Sequence, residues 1–116
     1  MSRYICHKGC SMDKSLFVIV TYSDNRTALI KIADVLIQTG IPSVHISSPS
    51  GQSFYRYKGQ RNVSVEYMLD VLCPKELLYD VVKLIKQIHN YELPAITWYE
   101  VHAEDDTYDW AIDKEK

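Results

Sequence analysis

The hydrophobic positions of this chain change their period several times, and each change marks a predicted element. Residues 15–21, SLFVIVT, form a mainly apolar and β-branched run, which is typical of a central strand buried on both faces. Apolar residues then recur at helical spacing between residues 29 and 36, so a helix follows the strand. Ser23 or Asp24 is its predicted N-cap, and Gly40 is predicted to close it at the C′ position.

A strict alternation with a period of two governs residues 53–69, SFYRYKGQRNVSVEYML, on both sides of Gly59. This pattern predicts a long β-hairpin that turns at Gly59, with the returning strand at about 63–72. The preceding residues, 41–46, also read as extended. Residues 47–51, SSPSG, indicate either a bulge or kink in one long strand or a break between two short strands.

The last third of the chain predicts a helix, a strand and a short terminal helical turn. Pro74 suits the first turn of the helix, which is expected to run to Asn90. Residues 95–101, AITWYEV, have the composition of a strand, and the acidic residues 103–112 predict the terminal turn. The apolar stripe of the helix consists of Leu78, Val81, Val82, Ile85 and Ile88.

The order βαββαβ predicts an α+β fold of the ferredoxin-like type, in which both helices cover one face of a four-stranded antiparallel sheet. The long hairpin between the second and third strands extends beyond the helices, because a strand advances about 3.3 Å per residue and a helix about 1.5 Å. A two-stranded ribbon alone in water is marginally stable. We therefore expect the hairpin and the uncovered sheet face, with Tyr55, Tyr57 and Met68, to contact another copy of the chain.

Composition limits the domain organisation and the location. A chain of 116 residues, 47% hydrophobic, supports one cored domain, which we expect at residues 14–116. Residues 1–13 lack periodicity and are expected to form a flexible N-terminal extension. The longest apolar run, residues 16–20, is too short to span a membrane, and no secretory signal is recognisable. These features predict a soluble, cytoplasmic protein with no membrane partner.

Charge and cysteine content narrow the function classes. The net charge of −2 provides no basic surface for a nucleic-acid partner. Three cysteines cannot form a closed disulfide framework, which agrees with a reducing compartment. Cys6, His7 and Cys10 could hold a soft metal ion, but a structural zinc site needs about four ligands, and no second pair follows. The favoured interpretation of this trio is a tail with incidental thiols.

Four stretches resemble the divalent-cation-tolerance (CutA) family. Residues 18–41, VIVTYSDNRTALIKIADVLIQTGI, are similar to the family's first strand, Asp-rich cap and helix. SFYRYKGQ at 53–60 resembles its Ser-x-Tyr-x-Trp-x-Gly signature, and IHNYELPAI at 88–96 resembles His-Pro-Tyr-x-x-Pro-x-Ile/Leu. TYDWAI at 107–112 is similar to its closing Tyr-Leu-x-Trp-x. The order and spacing of the four agree with the family over residues 14–113.

The resemblance implies a ferredoxin-like subunit in a tight homotrimer, with interlocking hairpins and open sheet faces turned toward the three-fold axis. It also implies a non-enzymatic association with tolerance to divalent metals, copper especially, and no required cofactor. Tyr22 stands where the family has a thiol, Val44 stands near its second recurrent cysteine, and Leu72 replaces a usual lysine. A phenol cannot replace a thiolate as a copper ligand, so Tyr22 is not a candidate. The candidate metal ligands are thiol and imidazole groups elsewhere in the chain. They are Cys6, His7, Cys10 and Cys73.

A ligand cleft between subunits is expected where acidic and aromatic residues converge. Its predicted members are Tyr57, Glu66, Tyr91, Glu92 and Trp110. For Glu66 the alternative is an ion pair with Arg56 or Lys58 across the hairpin, and the aromatic residues Tyr91 and Trp110 are alternatively packing anchors. A cationic His89 at the end of the second helix would interact well with the helix dipole, which favours a structural role over metal ligation.

Three function classes follow. The first is the homotrimeric metal-tolerance protein, and the second is a sensor similar to the PII proteins that binds a small molecule or anion in the inter-subunit cleft. The absence of a Gly-rich phosphate-binding motif counts against the second. The third is a hydrolase of the acylphosphatase type, which ranks last because Asp24, near Arg26, would repel a phosphate.

Overall fold

The computed structural model describes residues 14–48 and 51–113. The predicted extension at 1–13 lies outside the described residues. The elements are listed here in chain order. They are β1 (Ser15–Ser23), α1 (Arg26–Gln38), β2 (Ser43–Ile46), β3 (Gly51–Tyr57), β4 (Gln60–Cys73), a 3₁₀ turn (Lys75–Leu77), α2 (Leu78–Ile88), β5 (Ile96–His102) and α3 (Asp105–Ile112).

The strands form one antiparallel sheet in the order β2-β4-β1-β5, and β3 pairs with the first half of β4. This arrangement confirms the predicted α+β ferredoxin-like fold with a long hairpin. β2 ends at Ile46 and β3 begins at Gly51, so two strands are present here instead of one bent strand. Lys58 and Gly59 form the two-residue hairpin turn, because Tyr57 pairs with Gln60 and the two turn residues have φ of 51° and 74°.

The core lies between α1, α2 and one face of the sheet. Ile19 on β1 pairs with Val71 on β4, and both are fully buried. Alternate residues of each strand therefore point toward the helices, as the period of two requires. The buried cluster comprises Ile19, Leu29, Ile32, Leu36, Ile41, Leu69, Val71, Cys73, Leu78, Val81 and Ile85.

The N-cap of α1 differs from the prediction. Asn25, and neither Ser23 nor Asp24, caps the helix, and its side-chain oxygen accepts from the Ala28 N–H at 3.1 Å. The hydroxyl of Ser23 has other partners: it accepts from the Asn25 N–H at 3.0 Å and donates to the side-chain oxygen of Asn90. Gly40 closes the helix as predicted, with φ of 101°.

The start and end of the second helix also differ slightly from the prediction. Pro74 precedes a 3₁₀ turn, and the α-helix begins only at Leu78. It ends at Ile88 with His89 as C-cap, two residues before the predicted end at Asn90. The predicted apolar stripe is confirmed, because Leu78, Val81 and Ile85 are buried while Val82 and Ile88 pack against the core. No helix among residues 14–48 and 51–113 is long and apolar enough to cross a membrane.

The second face of the sheet is not covered by α1 or α2. Val18 and Val20 alternate with the core residues of β1 and are only half-buried. Tyr22 on β1 pairs with Met68 on β4 at this face, and Tyr22 is 40% exposed. The ion pair between Lys14 Nζ and Asp105 Oδ1, at 3.3 Å, joins α3 to the start of β1. An apolar sheet surface therefore remains open in one chain.

Candidate functional site

A cavity of about 640 Å³ lies beside the hairpin, between the end of β1, the part of β3 from Ser53 to Tyr57, Glu66 on β4 and residues 90–95. We call it the Glu66 cavity. Tyrosine rings and two carboxylates dominate its lining. The residues used below are Tyr22, Tyr55, Tyr57, Glu66, Tyr91 and Glu92.

The register of the hairpin places Glu66 on the same face as the tyrosines of β3. Gly51 pairs with Glu66, and Tyr55 pairs with Asn62, so positions 51, 53, 55 and 57 share a face with positions 60, 62, 64 and 66. Arg56 pairs with Arg61 on the opposite face. Arg56 still reaches the lining of the cavity, but it forms no ion pair with Glu66 at N–O distances up to 4.0 Å, so the alternative of an ion pair between them is wrong.

Tyr91 occupies the inner end of the cavity and holds Glu66. Its phenol donates to Glu66 Oε2 at 2.5 Å and accepts from the Asp24 backbone N–H at 2.8 Å. Burial, followed by the hydrogen bond to Glu66, raises the pKa of Tyr91 well above its usual range. The phenol therefore remains a protonated donor at physiological pH.

Glu66 is a buried carboxylate that forms no ion pair with another residue that the structure describes, although Arg56 lines the same cavity. The exposed fraction of Glu66 is 8%. The ion pairs of the described residues, taken at N–O distances up to 4.0 Å, do not include Glu66. Lys58, the second predicted partner, lies 4.0 Å from Glu92 instead. The Tyr57 hydroxyl donates to the same Glu92 at 3.1 Å. The cavity thus has one buried carboxylate and one exposed carboxylate at its rim.

His89 positions two parts of the cavity wall. Its Nδ1 accepts from the Tyr91 N–H at 3.1 Å, so the ring proton is on Nε2, which donates to the Tyr22 carbonyl at 2.9 Å. Burial lowers the pKa of His89 despite the opposing effect of the Tyr22 hydrogen bond. The predicted cationic imidazole is therefore wrong, and with both nitrogens engaged, the ring serves as a neutral structural link.

A second polar network ties the same two segments together. The Ser23 hydroxyl donates to Asn90 Oδ1 at 2.5 Å, and Asn90 Nδ2 donates to Asp24 Oδ1 at 3.1 Å. The buried Thr21 hydroxyl adds a bond to the Ala95 carbonyl at 2.8 Å. Sequence reasoning assigned Ser23 and Asp24 to helix capping and missed this role, although the adjacent polar runs at 21–25 and 89–92 were a signal for it.

The structure brings together four of the five predicted cleft residues. Tyr57, Glu66, Tyr91 and Glu92 line the Glu66 cavity. Trp110 is on α3, is 45% exposed and is not part of this lining. Tyr22 and Tyr55, which were not predicted as cleft residues, also contribute rings. Tyr55 could have been included from the alternation, because it shares a face of β3 with Tyr57.

The predicted metal ligands are not at this cavity. Cys6, His7 and Cys10 lie outside the described residues. Cys73 faces the helix side of the sheet, is fully buried and donates its thiol to the Pro74 carbonyl at 3.2 Å. Burial raises the pKa of the Cys73 thiol to about 12, which disfavours the thiolate that a metal needs. Within 14–48 and 51–113, no group of three or more His, Cys, Asp or Glu residues could hold a metal ion.

The amino-acid sequence from residue 16 to residue 114 matches the family model described as CutA1 divalent ion tolerance protein. This range begins in β1 and extends just past α3, so it includes every wall of the Glu66 cavity. This chain belongs to the CutA1 family. The resemblance inferred from four sequence stretches is thereby confirmed. The name of the family refers to tolerance of divalent ions.

Solved CutA structures share the fold of this CutA1 family member. CutA from Synechococcus elongatus has a TM-score of 0.81 at 18% identity, with 91% of this chain and 95% of that chain covered. CutA1 from Ehrlichia chaffeensis has a TM-score of 0.79 at 20% identity, with 87% and 95% covered. A periplasmic divalent cation tolerance protein CutA from Archaeoglobus fulgidus has a TM-score of 0.79 at 20% identity, with 88% and 99% covered. None of the curated proteins matches the sequence.

Proposed function

We propose that this chain is a non-enzymatic, homotrimeric CutA1 protein that acts in tolerance to divalent metal ions, with the Glu66 cavity as its ligand site. The observation that carries the proposal is the family match over residues 16–114. We further propose that residues 14–116 form its single domain.

Assembly is supported by apolar surface that one chain leaves uncovered. On the hairpin, Phe54 is 65% exposed, Val63 50% and Val65 55%, all on the face opposite the Glu66 cavity. Exposed apolar clusters of this kind are typical of interfaces. Together with Met68 on the open sheet face, they offer two surfaces to neighbouring copies. Tyr55 and Tyr57 remain proposed interface residues on the cavity side, where a second subunit would complete the cleft.

Copper binding is proposed for the N-terminal thiols and not for the folded core. Cys73 is covered, and the described residues offer no cluster of metal ligands. Cys6 and Cys10, with His7, are the groups that soft copper prefers. Since these groups bind metal only when deprotonated, affinity should rise as the pH increases from about 5 to about 8.

The test is calorimetric titration of copper into the full chain and into a variant that begins at Lys14. We expect binding by the full chain and its loss in the shorter variant, with the same oligomeric mass for both. Stoichiometric binding of one ion per subunit by the shorter variant would contradict the assignment and place the copper site in the folded part, with the Glu66 cavity as the first candidate.

A sensor of small molecules is the second candidate function, and the cavity itself favours it. A volume of about 640 Å³ is within the range of about 300–1,000 Å³ that is usual for small-molecule sites. An anion is a poor fit, since the buried Glu66 carboxylate would repel it, although Arg56 contributes to the lining and Lys58 pairs with Glu92. This function would coexist with metal tolerance, because the two use different parts of the chain.

We propose a cytoplasmic location, which the odd number of cysteines supports. Cys73 is a free thiol in the structure. The Archaeoglobus fulgidus relative is described as periplasmic, so the location of this chain needs a test of its own. Cell fractionation with a compartment marker tests this: recovery of the protein outside the cytoplasmic fraction would contradict it.

A further inference from the structure

We propose that the Glu66 cavity binds an organic ammonium ion, that is, a protonated amine attached to an apolar or aromatic body. The proposal rests on the proposed function in taking this cavity as the ligand site, and it adds the chemical class of the ligand. Three properties of the cavity lead to it: an uncompensated carboxylate, a lining of tyrosine rings, and a size and charge unsuited to metals and anions.

The first property is the buried carboxyl group of Glu66 in the cavity wall. Glu66 is 8% exposed, and its Oε2 accepts the Tyr91 hydroxyl, which is a neutral donor. A buried carboxylate is costly unless a cation or several donors compensate it. Since no described lysine or arginine nitrogen lies within 4.0 Å of it, a ligand that carries its own N–H donors and positive charge would supply the missing partner.

The second property is the aromatic lining. Four tyrosines surround the cavity, and three of their hydroxyls are already engaged: Tyr91 with Glu66, Tyr57 with Glu92, and Tyr55 with Ser64 at 2.8 Å. The Lys58 Nζ already lies 5.3 Å from the centroid of the Tyr57 ring, so the rings of the other three tyrosines are the aromatic surface left for a ligand. Aromatic rings attract organic cations through their quadrupoles, and ammonium groups are commonly recognised in this way.

The third property excludes the other charged ligands. A bare metal ion would need several oxygen, nitrogen or sulfur ligands at short range, and no such group exists among the described residues. An anion would meet the carboxylate of Glu66, which has no ion-pair partner among the described residues, while the Lys58 ammonium is already paired with Glu92 and Arg56 is the cation left in the lining.

The experiment compares three probes of similar shape and different charge on the full chain in its native oligomeric state. Benzylammonium, benzyl alcohol and benzoate are titrated at pH 7 by calorimetry, and the binding position is read from amide ¹⁵N–¹H shifts at Tyr91 and Glu92. We expect benzylammonium to bind at least tenfold more tightly than either of the other two.

Matched variants identify the groups that hold the cation. Glu66→Gln, which keeps the shape and removes the charge, should weaken benzylammonium binding at least tenfold, whereas Glu76→Gln, at an exposed position on the 3₁₀ turn, should leave it unchanged. Circular dichroism and mass check that both variants fold and assemble. If Glu66→Gln does not fold, Tyr22→Leu should weaken binding at least threefold, with Tyr79→Leu, at a 73% exposed position on α2, as its control.

The outcomes separate the ligand class from the ligand site. Equal or tighter binding of benzoate or benzyl alcohol at the same amides would overturn the ammonium proposal and leave the cavity as the ligand site. No binding of any probe, or shifts confined to other residues, would overturn the site and with it that part of the proposed function. Unchanged affinity in Glu66→Gln would overturn the role of Glu66.

Discussion

Single residues that are far apart in sequence hold the Glu66 cavity in shape. His89 links the Tyr22 carbonyl to the Tyr91 N–H, and Tyr91 in turn supports Glu66. The neutral form of His89 is required, because Nδ1 must accept a hydrogen bond while Nε2 donates one. Protonation of this one ring would break the link between β1 and the segment that follows α2.

The stability of the protein should therefore fall in mild acid because of His89. Its pKa is lowered in the folded state by burial, below the value of about 6.5 that it has when unfolded. The unfolded chain thus takes up the proton first as the pH falls. The contribution of His89 is fully present above pH 6.5 and declines as the pH falls from there toward the lower folded pKa.

The measurement is denaturant unfolding at fixed protein concentration between about pH 5.5 and pH 7.5. His89→Gln should be less stable than the parent at pH 7.5 and should show a flatter dependence on pH, since the buried titrating group is gone. His102→Gln, at an exposed position, is the control and should keep the parent's slope. Equal slopes for the parent and His89→Gln would contradict this role.

The sequence predicts part of this residue-level arrangement. Glu66 and Tyr57 could be placed on one face from the alternation, and Tyr91 and Glu92 from the family motif. The charge of His89 could not be predicted. The sequence at the end of the apolar stripe of α2 is the same whether the imidazole of His89 is exposed or buried. Trp110 was grouped with the cavity by motif alone, and the order of elements does not reveal where the terminal helix packs.

At the scale of elements, the β3–β4 hairpin is the feature that builds the cavity and projects from the sheet. The chain has principal extents of 52 × 35 × 24 Å, which is elongated for its length. The turn at Lys58 and Gly59 sets the register of the hairpin, and the register sets which side chains face Glu66. A change at this turn should therefore act on the whole element.

Gly59→Ala should destabilise the protein by about 1–2 kcal/mol, because Gly59 has φ of 74°, a left-handed conformation that a Cβ disfavours. Gly51→Ala is the matched control: this residue has no positive φ, and an added Cβ would meet nothing within 4 Å. The two variants are compared by thermal and denaturant unfolding. An equal loss of stability in both variants would contradict the assigned turn geometry.

The elements themselves were largely predictable, since period-two and helical patterns are separated along this chain by Gly and Pro. The boundary errors have local causes. The cap moved from Ser23 or Asp24 to Asn25 because the Ser23 hydroxyl bonds Asn90, 67 residues away. The choice between one bent strand and two strands at 47–51 depends on which strands pair with β4, which no local pattern contains.

At the scale of the whole molecule, a single chain leaves two apolar surfaces exposed to solvent. They are the uncovered sheet face and the apolar side of the hairpin. Tyr99 on β5 is 54% exposed, and Phe54 on β3 is 65% exposed. Apolar surfaces of this kind are usually buried in obligate assemblies. The sequence predicted the need for a partner from strand length, and the family resemblance supplied the number of copies.

The central claim of this account is that the functional unit is a homotrimer whose subunits cover these surfaces. Its most direct test is the mass of the full chain at micromolar concentration by light scattering or native mass spectrometry. We predict a single species of three times the 13.5 kDa of one chain, which persists on dilution. A monomeric mass of 13.5 kDa under the same conditions would contradict the claim.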